Sequence, residues 1–377
     1  MQQNDSSTHT DSSLRATAEM VKLYEEVVAA HPIKPLKCIP ASAEASRLVK
    51  VPEPVAADAA SLRVAVYSPT TVSLVMDSLS EGAADQRDAL KPILKSMLRS
   101  DGKRRLVTIN DVSCISALRD RFPNFSDAIQ MIEGAVALAA RTPQKVLHFP
   151  PMLLVGDPGL GKTMFAEAVA QALGTTMSKA SFAQMTSGWV LGGLDLSWRG
   201  GKTGRVFDTL VRGDVANPLI MCDEIDKARA DGQFDPIGPL YDLLEAQSAR
   251  AFHDEAVPIP LDASNIIWML TANSLSTIPE PIVSRCEVVT VRMPTGVDAV
   301  KVANSVYASL RIKVPGASTF PEVLPEDMVE RLADQPPREL MRTLEKAMRA
   351  AALRGSDELS VMDVPAPQRK QRVGFCA

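Results

Sequence analysis

A chain of 377 residues, 46% apolar and 23% charged, is long enough for two or three packed units of ordinary soluble composition. A net charge of -4 and a pI near 5.7 give no global attraction to nucleic acid or to an acidic membrane surface. The five cysteines (Cys38, Cys114, Cys222, Cys286, Cys376) form no C-x-x-C pair, so neither a disulfide framework nor a zinc site is expected.

The chain starts with a polar stretch, MQQNDSSTHTDSS, which lacks the basic-then-apolar pattern of a signal peptide. No later run of apolar residues reaches bilayer-spanning length, and a cytoplasmic protein is expected. Residues 1–60 read as disordered chain and linker, with a short helix over Ala16–Ala30 and a proline-bearing stretch from Pro32 to Pro54. Residues 61–140 read as a helical N-terminal region. Within it Leu90, Ile93, Leu94, Met97 and Leu98 recur at helical spacing, and a second helix after Ser126 carries Ile129, Ile132, Val136 and Ala139 on one face.

From about Pro150 the pattern changes. The apolar runs at 152–155, 175–182, 218–223, 265–271 and 287–291 alternate with helical stretches, the signature of a parallel sheet covered on both faces. A large α/β domain is therefore expected over 141–294. A helical lid over 295–364 follows, with helices near 296–312, 325–334 and 338–354 and a stop at Gly355. The tail 365–377 joins Arg369, Lys370 and Arg372 to the apolar Val373–Phe375, which reads either as a frayed end or as a docking segment.

Gly156, Asp157, Pro158, Gly159, Leu160, Gly161, Lys162 and Thr163 fit G-x-x-x-x-G-K-[ST] without a defect. The glycines let backbone N–H groups turn inward on a polyphosphate. Lys162 neutralises its charge, and the Thr163 hydroxyl suits magnesium. The motif sits between an apolar strand and a helix, so the phosphates of ATP would meet a helix N-terminus. Downstream, four apolar residues end in Asp223 and Glu224. Asp223 is expected to hold Mg2+ through water, and Glu224 to act as the general base on the attacking water.

With these residues in place, the stretch from about 145 to 350 resembles the AAA+ ATPase module of Lon proteases. NPLIMCDEIDK, LYDLLEAQSARAFHDEAV, MLTANS, IPEPIVSRCEVV and PPRELMRTLEKA carry the likeness, the second of them with a leucine-rich helix followed by a phenylalanine and an aspartate. The resemblance implies a P-loop fold with a small helical lid. It also implies a sensor asparagine at Asn273, an arginine finger at Arg285 that reaches a neighbouring subunit, and a lid arginine at Arg338. An aromatic pore loop is implied before Asp223: register favours Trp198 with Arg199, and side-chain type favours Trp189 with Val190. Lon enzymes continue into a protease domain, whereas this chain ends soon after the lid, so a motor without proteolysis is expected. That motor would be a homo-oligomeric ring, a hexamer, acting on a protein client. A nucleotide-gated scaffold and a nucleic-acid motor are the alternatives, and the acidic pI and the lack of an aromatic-plus-basic segment weigh against the latter.

Overall fold

The computed structural model describes residues 62–79, 84–109, 112–185, 188–228 and 235–364. The helix expected over Ala16–Ala30, the linker after it and the tail 365–377 lie outside the described residues.

The organising element is a five-stranded parallel sheet. In chain order its strands are β3 (Met152–Val155), β4 (Met177–Ser181), β5 (Leu219–Asp223), β8 (Ile267–Ala272) and β9 (Glu287–Thr290), and in space they run β4-β5-β8-β3-β9. Each strand alternates its side chains between the two faces. Leu219, Met221, Ile267 and Met269 enter one core, and Ile220, Cys222, Trp268 and Leu270 enter the other. The central strands β5, β8 and β3 are covered on both faces and read as continuous apolar runs, whereas the edge strands β4 and β9 are only partly buried.

The helices Ser126–Ala139 and Lys162–Leu173 supply Ile129, Ile132, Val136, Phe165 and Val169 to the first core. Phe125 stacks on Phe165 at 4.3 Å within it. The second core takes Val72, Leu94 and Met97 from the N-terminal region, together with Val206, Phe207 and Leu210 from the helix Arg205–Val211. The side chains of residues 62–139 are thus shared between both faces of the sheet. An amphipathic helix must bury its apolar stripe somewhere, and here the sheet is the partner.

Two features depart from the helical and strand pattern expected from sequence. The N-terminal region also contains β1 (Arg63–Ala65) and β2 (Lys103–Arg105), which pair antiparallel. Asn217 ties that region to the sheet: its side chain accepts from the Val107 N–H and donates to the Val107 carbonyl, both at 2.8 Å. A second antiparallel pair, β6 (Phe252–Asp254) and β7 (Val257–Leu261), projects between β5 and β8 in chain order. Pro258 and Pro260 disguise β7 in the sequence, since proline is tolerated only where a strand has no ladder partner to donate to.

The lid is formed by the helices Val297–Lys313, Glu326–Leu332 and Pro337–Leu353. They close on a core of their own that includes Tyr307, Met328, Leu340 and Leu344. Gly355 ends the last helix at φ 73°. Among the described residues no helix is long and apolar enough to cross a membrane.

Candidate functional site

Three neighbouring strands, β5, β8 and β3, deliver the sequence-predicted residues to one end of the sheet, their carboxyl end. Asp223 closes β5. Asn273 follows β8. The loop Gly156–Gly161 follows β3 and leads into the helix Lys162–Leu173. Gly161 starts that helix at φ 95°, with no side chain capping it. The first N–H groups of the helix are therefore left for an anionic ligand.

A cleft of about 230 Å3 opens there. Its walls are Pro158, Gly159, Leu160, Gly161, Lys162, Thr163, Met164, Asp223, Glu224 and Asn273 from the α/β unit, and Val306, Pro337, Arg338 and Met341 from the lid. Every residue expected to contact ATP except Gly156 and Asp157 lines it. Those two contribute their backbone: Lys162 Nζ donates to Gly156 O at 2.5 Å and Asp157 O at 3.0 Å, and to Asn273 Oδ1 at 3.3 Å. Burial pulls the Lys162 ammonium below its ordinary pKa, while Asp226, Asp223, Asp157 and Glu224 oppose the shift. A buried cation among carboxylates, held by carbonyls, is poised to exchange them for phosphate oxygens.

The carboxylate pair is held by residues that sequence reading missed. Asp223 Oδ2 is paired with Lys179 Nζ at 2.6 Å, and Asp223 Oδ1 accepts from Thr271 Oγ1 at 2.7 Å. Thr271 Oγ1 in turn accepts from the Glu224 N–H at 2.9 Å. Glu224 itself sits in the left-handed region at φ 57°. A non-glycine residue there costs of order 1 kcal/mol or more and persists when its surroundings enforce it. The Thr271 bond is one such constraint.

The lid meets the phosphate loop directly. Arg338 N–H donates to Gly159 O at 3.1 Å. Gly159 has φ 90°, and a Cβ there would lie 3.2 Å from Arg338 Cβ, so the close approach needs a glycine. Beside this contact the cleft continues into a smaller depression lined by Arg121, Phe122, Asn124, Val302, Ser305 and Ser309, among others. Its lining joins the N-terminal region to the lid, and no motif marks it.

Arg285 is not brought to this cleft. Its guanidinium bonds Pro281 O at 2.7 Å and Glu245 Oε2 at 3.3 Å. The two tryptophans separate as well. Trp198 is 65% exposed, at the tip of a hairpin closed by reciprocal bonds between Leu194 and Lys202, and Arg199 beside it is exposed too. Trp189 and Val190 are half-buried in the short helix Trp189–Gly192, and Val190 packs against the core.

Residues 152–292 match the model of the ATPase family associated with various cellular activities (AAA). The peroxisomal Lon protease homolog 2 of Zea mays is 30% identical over 230 residues, covering 60% of this chain and 26% of that protein. The mitochondrial Lon protease homolog of Saccharomyces cerevisiae is 33% identical over 217 residues, 56% of this chain and 19% of that one. The chain thus spans about a quarter or less of the length of the curated relatives it matches. Among solved structures, the RuvB Holliday junction branch migration motor of Thermotoga maritima aligns at 17% identity with a TM-score of 0.41, over 64% of this chain and 66% of that one. Residues 152–292 are a AAA+ ATPase module, and it is of the Lon-like kind.

Proposed function

We propose that this chain is an ATP-hydrolysing motor that works as a homo-oligomeric ring, a hexamer, and remodels a protein client. The observation that carries the proposal is the division of the expected machinery. Lys162, Thr163, Asp223, Glu224, Asn273 and Arg338 converge on one cleft, while Arg285 is outside its lining and pairs with Glu245. A cleft lacking its finger and a finger lacking a cleft fit two copies side by side.

In this reading the triphosphate lies along the loop 156–163, with the base in the depression beside Phe122 and Asn124. Lys162 leaves its carbonyl partners for the β- and γ-phosphates. Glu224 orients and deprotonates the attacking water, and Asn273 holds that water from the other side. The Thr163 hydroxyl and the Asp223 carboxylate, hard oxygen donors on the rim of the cradle, suit Mg2+, which would neutralise phosphate charge there. Arg285 of a neighbouring copy offsets the charge that develops in the transition state. Trp198 and Arg199, at an exposed tip, make the contact with client. The resemblance lies in the nucleotide-binding part, so ATP hydrolysis is proposed and proteolysis is not.

The test is complementation between two inactive variants. Arg285→Ala and Glu224→Gln should each hydrolyse ATP poorly alone. Mixing them creates interfaces with one intact Glu224 and one intact Arg285, and turnover should return at those interfaces. Full activity of a monomeric Arg285→Ala protein would defeat the proposal.

A further inference from the structure

The hairpin that carries Trp198 has almost no side-chain packing at its tip: Ser197, Trp198, Arg199 and Gly200 are all exposed. Asp195 shapes the turn, its Oδ1 accepting from the Ser197 N–H at 2.7 Å and its carbonyl from the Trp198 N–H at 3.1 Å, and Leu196 packs on the core; the remaining ties lie at the base. Leu194 N–H donates to Lys202 O at 2.9 Å, and Lys202 N–H donates to Leu194 O at 3.1 Å. Just below, the two legs come into backbone contact at Gly193 and Gly204. A Cβ on Gly204 would sit 2.3 Å from Gly193 N, closer than any side chain is tolerated.

Beneath that crossing lies a carboxylate from a distant part of the sequence. Asp254, at the end of β6, is 2% exposed. Its Oδ2 accepts from the Gly204 N–H at 2.8 Å, and its Oδ1 accepts from the Ala256 N–H at 3.0 Å, inside the β6–β7 turn. The same Oδ1 would lie 2.1 Å from a Cβ on Gly193, which has φ 83°. One residue on, the Glu255 N–H donates to Gly192 O at 2.7 Å. The β6–β7 turn therefore grips both legs of the Trp198 hairpin, one through a carboxylate and one through a main-chain bond.

Burying a carboxylate is costly, and a residue chosen only to fill this space would be apolar. Burial pushes the Asp254 carboxyl up to about 7 despite its two peptide donors, and the nearby Asp208 and Glu255 push it the same way. The acid retained there does what no apolar side chain does: it accepts from the hairpin and from the turn at once.

We propose that Asp254 is a positioning residue that locks the base of the Trp198 hairpin to the β6–β7 turn, so that the tip moves with the α/β unit and not independently. Its functional half rests on the reading of the Trp198 tip as the client contact. With the lock in place, a displacement of the unit is delivered to whatever Trp198 and Arg199 hold. Without it the tip swings on two glycines.

The experiment is hydrogen exchange on the full chain, with Asp254→Asn placing an amide N–H2 or a weaker acceptor opposite the Gly204 N–H. Exchange over residues 194–204 should accelerate about tenfold, with the lid helix Pro337–Leu353 within about twofold of the unaltered protein. No change over 194–204 overturns the lock. An equal rise in both segments also overturns it, because it marks Asp254 as a general core residue. Should Asp254→Asn fail to fold, the unaltered protein still decides: the Gly204 amide must exchange with the β6–β7 hairpin, and exchange as fast as the Trp198 amide refutes the lock. Binding of fluorescein-labelled casein in the presence of ATP tests the functional half. Weakening in both Trp198→Ala and Asp254→Asn supports it. Retention in Asp254→Asn while Trp198→Ala loses casein overturns the positioning role. Retention in Trp198→Ala overturns the reading of the tip, and the exchange data then judge the lock alone.

Discussion

The nucleotide cleft and the Trp198 hairpin are built on opposite rules. In the cleft, fixed backbone and paired charge hold the central groups: Lys162 is 8% exposed and has three oxygen partners, and Asp223 has a partner for each oxygen. At the hairpin the tip side chains of residues 197–200 are exposed, and order comes from Leu196 packed on the core and from hydrogen bonds within the turn and at its base. Phosphate chemistry is the same for every ATP, so much of the cleft can be built in advance. A surface proposed to meet varied polypeptide must be reachable, and what it needs from the fold is a firm foundation.

The largest effect separating the two regions should come from the cleft. Lys162→Ala should weaken ATP binding on the order of a hundredfold or more, as expected when a buried charge-assisted partner is removed. Isothermal titration against ATP measures this, and near-normal affinity would mean the lysine keeps its carbonyl partners in the bound state. Glu224→Gln should leave affinity near normal and cut turnover by about two to four orders of magnitude, the usual worth of a general base. Equal loss of binding in both variants would break the separation of their roles.

The tryptophans sharpen the comparison in stability instead of chemistry. Trp268 is buried in the second core of the sheet at 4% exposure, so Trp268→Ala should cost about 3–5 kcal/mol in denaturant unfolding. Trp198→Ala should stay within about 0.5 kcal/mol, as surface changes do. A strong fall in melting temperature for Trp198→Ala would make it a packing residue.

A further difference concerns pH. Asp254 is raised to about 7 in the folded chain, above its unfolded value near 3.8. The folded state therefore binds more protons than the unfolded state between those values, and this carboxyl makes stability fall as pH rises from about 4 to about 7. Asp254→Asn should flatten that part of the stability profile. An unchanged slope would show that another group sets it.

Much of the cleft was legible in the sequence because its chemistry restricts residue types at fixed spacing. Gly156 through Thr163 are contiguous, Asp223 ends an apolar run that reads as a covered strand, and Asn273 was marked by the family resemblance. Lys179 was not legible: parallel register aligns Ser181 with Asp223, so a side chain two residues earlier on β4 can reach that carboxylate. Asp254 was seen in the sequence only as part of a family pattern, since its hydrogen-bond partner Gly204 lies 50 residues before it and the neighbouring Gly193 earlier still. The antiparallel β1–β2 pair escaped notice because three-residue strands such as Lys103–Arg105 carry no alternation to detect.

The bond from Arg338 N–H to Gly159 O makes the lid helix a lever whose fulcrum is the phosphate loop itself. Whatever reshapes that loop when a ligand fills it tilts a helix of 17 residues, whose far end travels much further than its root. Linkage makes the relation reciprocal: a load that pushes the far end of the helix changes affinity for the ligand by the same factor by which the ligand favours the tilt. In the proposed ring, a neighbour leaning on the lid would thereby tell this cleft when to let go.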